Sequence, residues 1–131
     1  MPKRILIADT RENDRRLAAI LSGHELVFAR ALGEAQRLLT ERKFDLILIG
    51  VNFDDSRMFD LVRHVRSTGQ AEPPVACVRS HRFQSPALSI EGLEIAARAA
   101  ACNLFLDLTK YPDDTAGNAE ARKLLEGLFT P

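Results

Sequence analysis

The sequence predicts an α/β domain in which five parallel strands form one doubly wound sheet with helices on both faces. Four consecutive aliphatics, Leu46 to Ile49, stand between a polar helix-like segment and Asn52-Phe53-Asp54-Asp55. That run is too short for a buried helix and suits a central strand covered on both faces. Other short apolar runs alternate along the chain with segments of helical periodicity. The connections between them are short, which implies right-handed βαβ units and a parallel sheet.

Taken in order, Ile5-Leu6-Ile7-Ala8 is the first strand, followed by Asp9-Thr10. An amphipathic helix carries Leu17, Ile20 and Leu21, with Asn13 or Thr10 as its N-cap, and stops at Ser22-Gly23. Leu26-Val27-Phe28-Ala29 is the second strand. A second helix runs from about Gly33 to Arg42 with Ala35, Leu38 and Leu39 inward. After the central strand, Phe59, Val62 and Val65 mark a third helix that ends near Ser67-Thr68-Gly69. Pro73-Pro74 introduces a fourth strand, Val75-Ala76-Cys77-Val78. The stretch from Arg79 to Ser89 is polar and basic, and Ser85-Pro86 offers an N-cap with proline at the first helical position. An alanine-rich helix follows to about Ala101, then a fifth strand, Leu104 to Leu108. Asp113, Asp114 or Thr115 caps a last helix whose inner face is Leu124, Leu125, Leu128 and Phe129.

At 131 residues, 46% hydrophobic and 27% charged, the chain has the size and balance of one globular domain, 1–131. Its formal net charge of zero supplies no global attraction to nucleic acid or to an anionic membrane. No apolar run approaches the ~20 residues of a spanning helix, and Met1-Pro2-Lys3-Arg4 leads into a strand, not a signal peptide. The expectation is a cytoplasmic protein in which Cys77 and Cys102 are reduced core residues, since they have neither metal-ligand spacing nor a redox motif. In a flavodoxin-like strand order, 2-1-3-4-5, strands one and three end side by side at the switch point, so Asp9 stands next to Gly50.

With these residues in place the chain resembles, over essentially its full length, the receiver (CheY-like) domain of bacterial two-component response regulators. Ile5-Leu6-Ile7-Ala8-Asp9-Thr10 is similar to the family's opening strand and acidic pair. Phe44-Asp45-Leu46-Ile47-Leu48-Ile49 is similar to the strand that ends in the phosphoacceptor aspartate, and the pattern continues without a gap from Gly50 to Arg66. The resemblance implies paired acids holding Mg²⁺ beside the acceptor. It also implies a Thr or Ser after strand four and a Lys after strand five on the acyl phosphate, and an aromatic on strand five. Residue by residue, Asp9 keeps the first acid, Thr10 replaces the second and Gly50 replaces the acceptor. Asn52 keeps the backbone carbonyl that the family gives to the metal, and Arg79 falls at the hydroxyl position. Phe105 or Asp107 takes the aromatic position. Lys110 or Leu108 takes the lysine position, in two registers that differ by two residues and bury the same face. Between strand four and its helix the chain is longer than the family pattern.

Glycine has no carboxylate to attack phosphorus, and Asp9 alone is a poor set of ligands for Mg²⁺. The expectation is therefore a degenerate, stand-alone receiver with no enzymatic activity, metal or cofactor. It would act in two-component-type signalling by phosphorylation-independent protein–protein contact. Its partner would be a histidine kinase, another regulator or a second copy, with no role for nucleic acid or membrane. The resemblance puts the binding face on helix four, strand five and helix five, with His81, Arg82 and Phe105 as contact candidates. The alternative is a receiver phosphorylated on an unorthodox acid, Asp54 or Asp55, residues that otherwise serve the turn and cap of the third helix. Arg79 either pairs with Asp9 in place of metal and lysine or is solvated while Asp9 caps the first helix. A flavin protein is a third reading, although Asp9-Thr10-Arg11-Glu12-Asn13 lacks the glycine-rich run that wraps a phosphate.

Overall fold

Apolar runs with β-branched residues become strands here because their side chains alternate between two apolar layers. The computed structural model describes residues 2–67, 73–80, 90–100 and 102–129. Strands β1 (Arg4–Ala8), β2 (Glu25–Ala29), β3 (Leu46–Gly50), β4 (Val75–Arg79) and β5 (Leu104–Asp107) form one parallel sheet in the order β2-β1-β3-β4-β5. Helices α1 (Asp14–Ile20), α2 (Leu32–Glu41), α3 (Met58–Ser67), α4 (Ile90–Ala99) and α5 (Thr115–Glu126) complete the flavodoxin-like, CheY-like architecture expected from the sequence.

Each strand divides its residues between two cores. Leu6, Ala8, Ile47, Ile49, Val75 and Cys77 pack with α2, α3 and Ala97 of α4. Ile5, Ile7, Leu46, Leu48, Ala76 and Val78 pack with Leu17 and Ile20 of α1 and with Ala121 and Leu125 of α5. Among the described residues, no helix is long and apolar enough to cross a membrane.

Several local expectations change. The fifth strand ends at Asp107, because Leu108–Lys110 tightens into a 3-10 turn whose Thr109 amide is met by the Asp107 carboxylate. Leu124 is 42% exposed and not on the inner face of α5. The buried positions there are Gly117, Ala121 and Leu125, each four apart, which share one helix face while Leu124 lies to its side. Of the three candidate caps of α5, Asp114 does the work, accepting from the Gly117 amide at 2.7 Å. Thr10 and Asn13 sit where N-caps are expected, but neither side chain caps the helix backbone. Cys77 and Cys102 are joined as a disulfide and are not free thiols. Packing brings them together: Cys102 stands between α4 and β5, and Cys77 lies on β4, the strand that β5 pairs with. The Ser85-Pro86 helix start lies outside the described residues.

Candidate functional site

The C-terminal edge of β1 and β3 carries the site that the sequence singled out. Ala8 pairs with Ile49, so Asp9 follows β1 level with Gly50, and both belong to the face covered by α1 and α5. The Asp9 side chain does not lean into solvent. Its residue is 1% exposed, and its carboxylate lies over Gly50, filling the volume that a side chain there would need. A Cβ built on Gly50 would come within 3.0 Å of Asp9 Oδ1, Cγ and Oδ2, closer than real Cβ atoms approach any neighbour.

Local donors hold that carboxylate in place. The Thr10 amide donates to Oδ1 at 2.7 Å and the Asn13 side-chain amide donates to Oδ2 at 2.9 Å. This explains why Asn13 does not cap α1: its amide is turned back on to Asp9. Arg30, beyond the end of β2, donates to the Asp9 backbone carbonyl at 3.0 Å and pairs with Asp14. A guanidinium thus does approach Asp9, but it comes from β2 and binds the main chain. Asn52 lies half-buried in the turn after β3.

Arg79 is placed elsewhere, and both sequence expectations for it are corrected. It is 6% exposed, so it is not solvated, and it does not pair with Asp9. Gly50 is level with Val78, not Arg79. Arg79 is one residue further on, and its side chain leaves the sheet on the opposite face from Asp9. Directly across the next pair of strands stands Asp107. The two meet at 3.0 Å, with side chains 7% and 9% exposed. Arg79 also donates to the Thr109 hydroxyl at 3.1 Å, and Asp107 accepts from that hydroxyl at 2.6 Å and from the Thr109 amide at 3.0 Å. A buried ion pair braced by a hydroxyl shared between its two partners is held in a narrow range of geometry.

The residue directly after β5 is Leu108, buried in the α1–α5 core, whereas Lys110 is exposed at the end of the 3-10 turn. Arg16 of α1 ties that turn down, donating to the carbonyls of Leu108 (3.2 Å), Tyr111 (2.7 Å) and Pro112 (3.0 Å). Phe105 is half-buried and packs on the α2–α3–α4 core. His81 and Arg82 lie outside the described residues.

Asp54 and Asp55 follow Phe53, which is fully buried, and with Ser56 they form three successive left-handed residues, φ +44°, +55° and +68°. Asp54 does cap a helix, though not the third: its carboxylate accepts the Leu32 amide at 2.8 Å, the first turn of α2. The neighbouring residue Ala31 has no side-chain acceptor to offer.

Receiver-type chemistry implies Mg²⁺, which wants near-octahedral oxygen ligation with one or two carboxylates. At this edge one carboxylate is buried against a glycine, with a bond from a neutral N–H to each oxygen. Among the described residues no three His, Cys, Asp or Glu side chains converge. These residues do not fit the metal.

Thr109, Asn13, Arg30 and Arg16 were not singled out as site residues from the sequence. Asp107 was placed only as a candidate for the aromatic position, and its pairing with Arg79 was not expected.

No family model and no curated protein matches the chain. Solved structures do. A response regulator from Thermotoga maritima is 17% identical with a TM-score of 0.75, the match covering 100% of each chain. The signal receiver domain of a signal transduction histidine kinase from Syntrophus aciditrophicus is 19% identical, TM-score 0.70, over 97% of this chain and 89% of that one. NtrX from Brucella abortus is 22% identical, TM-score 0.73, over 98% of this chain but only 28% of its own, so the chain spans little more than a quarter of that protein. The fold is thus the one found in response regulator receiver domains.

Proposed function

We propose that this chain is a pseudo-receiver: a domain of the two-component type that works by protein–protein contact and does not use an acyl-phosphate switch. One observation carries the reading, the Asp9 carboxylate seated on Gly50. The corner in which a receiver would hold its acceptor is closed by a carboxylate that is itself buried and hydrogen-bonded. In-line attack on phosphorus needs an accessible carboxylate, and the Asp9 residue is 1% exposed. Arg79, at the hydroxyl position, is committed to Asp107. The reading assigns no catalysis to the domain and places it in the cytoplasm. A histidine kinase, another regulator or a second copy is the partner.

The face for that partner is α4, β5 and α5. Among the described residues, Ile95 on α4 and Leu124 on α5 are exposed large apolar side chains, at 69% and 42%. The purified protein, incubated with acetyl phosphate and Mg²⁺ and weighed intact, should gain no phosphoryl group. A mass shift abolished by Asp54→Asn or Asp55→Asn would replace this reading with phosphorylation of an unorthodox acid.

A further inference from the structure

The Cys77–Cys102 pair stands outside everything assigned above. Cys77 sits at the centre of β4, fully buried, level with Phe105 of β5. Cys102 is half-buried just before β5, with its Cα 6.6 Å from that of Cys77, a spacing that a disulfide spans without backbone movement. The bond closes a loop with a sequence separation of 25, and that loop contains α4.

Among the described side chains, helix α4 is thinly anchored in the core. Met58, Leu61, Val62 and Val65 of α3 are buried, whereas among the described side chains of α4 only Ala97 is. Leu93 is partly buried and Ile95 faces outward. At the C-terminal end of α4 the Cys102 amide donates to the Ala97 carbonyl at 3.1 Å. The disulfide therefore fastens the cap of α4 to the middle of the sheet. The start of β5 has separate fastenings, since Asn103 exchanges backbone and side-chain bonds with Val75 at 2.8 Å each. Opening the disulfide would release α4 and leave the sheet paired. Two extensive apolar cores on either side of that sheet show that the fold has no need of a staple for its existence.

We propose that Cys77 and Cys102 are a reversible redox site that sets how firmly α4 is held. Cys102, the less buried of the two residues, reacts first. Its thiolate attacks a peroxide oxygen and the departing hydroxide is protonated to water. The Cys77 thiolate then attacks the sulfenic sulfur, the S–S bond forms and the second oxygen leaves as water. Two thiols lose two electrons and two protons to the peroxide. In reverse, one thiolate of a small dithiol attacks Cys102 Sγ and Cys77 leaves as thiolate. The reagent's second thiolate then closes its own disulfide and frees Cys102.

The proposal does not depend on the partner reading, because it is tested on the isolated chain. The protein is equilibrated in stepped ratios of dithiothreitol to its cyclic disulfide, its thiols are trapped by alkylation, and they are counted by intact mass. Hydrogen exchange over residues 90–100 is then compared between the oxidised and reduced forms. Both thiols should disappear together without denaturant, and reduction should speed exchange in α4 by about tenfold or more while β1 and β3 keep their protection. Cys102→Ala should exchange like the reduced form and ignore reductant. If that variant fails to fold, the two wild-type forms still decide the matter. Thiols that stay free across the series, a bond reducible only in denaturant, or equal exchange in α4 would each overturn the proposal.

Discussion

At the scale of single residues, Gly50 and Arg79 decide what the sheet edge can do. Replacing Gly50 with alanine puts a methyl group into the Asp9 carboxylate and forces it off the Thr10 and Asn13 donors. Overpacking together with loss of charge-assisted bonds costs about 2–4 kcal/mol. Urea denaturation should show that loss, and should show a much smaller one when the same change is made in an Asp9→Ala background, because the two side chains compete for one volume. Arg79→Ala leaves Asp107 buried without its cation and should cost about 3–5 kcal/mol. The melting temperature would then fall by roughly 10–20 °C; an unchanged value would mean that the pair contributes nothing. Part of this was legible in the sequence. Asp9 beside Gly50 follows from strand order alone, but the partner of Arg79 depends on strand parity. A one-residue difference in where two parallel strands end sends a side chain to the other face. Nothing in composition reveals that offset.

Among elements, the turn between β3 and α3 is where local preference and observed backbone disagree. Asp54, Asp55 and Ser56 all have positive φ, a conformation that costs an L-residue about 1–2 kcal/mol and that asparagine and aspartate tolerate better than serine. Ser56 is exposed, so Ser56→Gly should stabilise the protein by up to about 1 kcal/mol in chemical denaturation, less whatever glycine entropy the unfolded chain gains. Asp54→Ala should act in the opposite direction by about 1 kcal/mol, as an N-cap loss felt in α2. Strands and helices were readable because burial imposes periods of two and 3.6 on the residues themselves. Caps were readable only where the acceptor is adjacent in sequence. Asp114 could be proposed for α5, whereas the acceptor for Leu32 lies 22 residues away, beyond the reach of any local pattern. The cysteines illustrate the same limit. Their types and spacing suggested two separate core thiols, and only the crossing of α4 brings them together.

At the scale of the whole molecule, the beginning and end of the described chain are joined beneath the sheet, far from Asp9. The His24 ring accepts the Lys3 amide on Nδ1 at 3.0 Å, so its other nitrogen carries the proton and donates to Glu126 at 3.1 Å. Arg122 adds a second bond to the same carboxylate and reaches the Ser22 carbonyl at 2.8 Å. Phe129 packs tilted against His24, with the Lys3 ammonium over its ring. The His24 hydrogen bond, followed by the charge and hydrogen bond of Arg122, outweighs desolvation and holds the Glu126 carboxyl below its usual 4.5. A carboxyl whose folded-state pKa is lowered contributes stability that is present above the unfolded value and is lost as pH falls through the folded one. Wild type should therefore be more stable than Glu126→Gln at pH 7, and the gap in urea midpoint should close as pH drops below about 4.5. Because Glu126 is partly exposed, added salt should shrink the gap at neutral pH as well. A gap that stayed constant down to acid would show that Glu126 acts through packing alone, and that closure of α5 on to the first strand owes nothing to this charge.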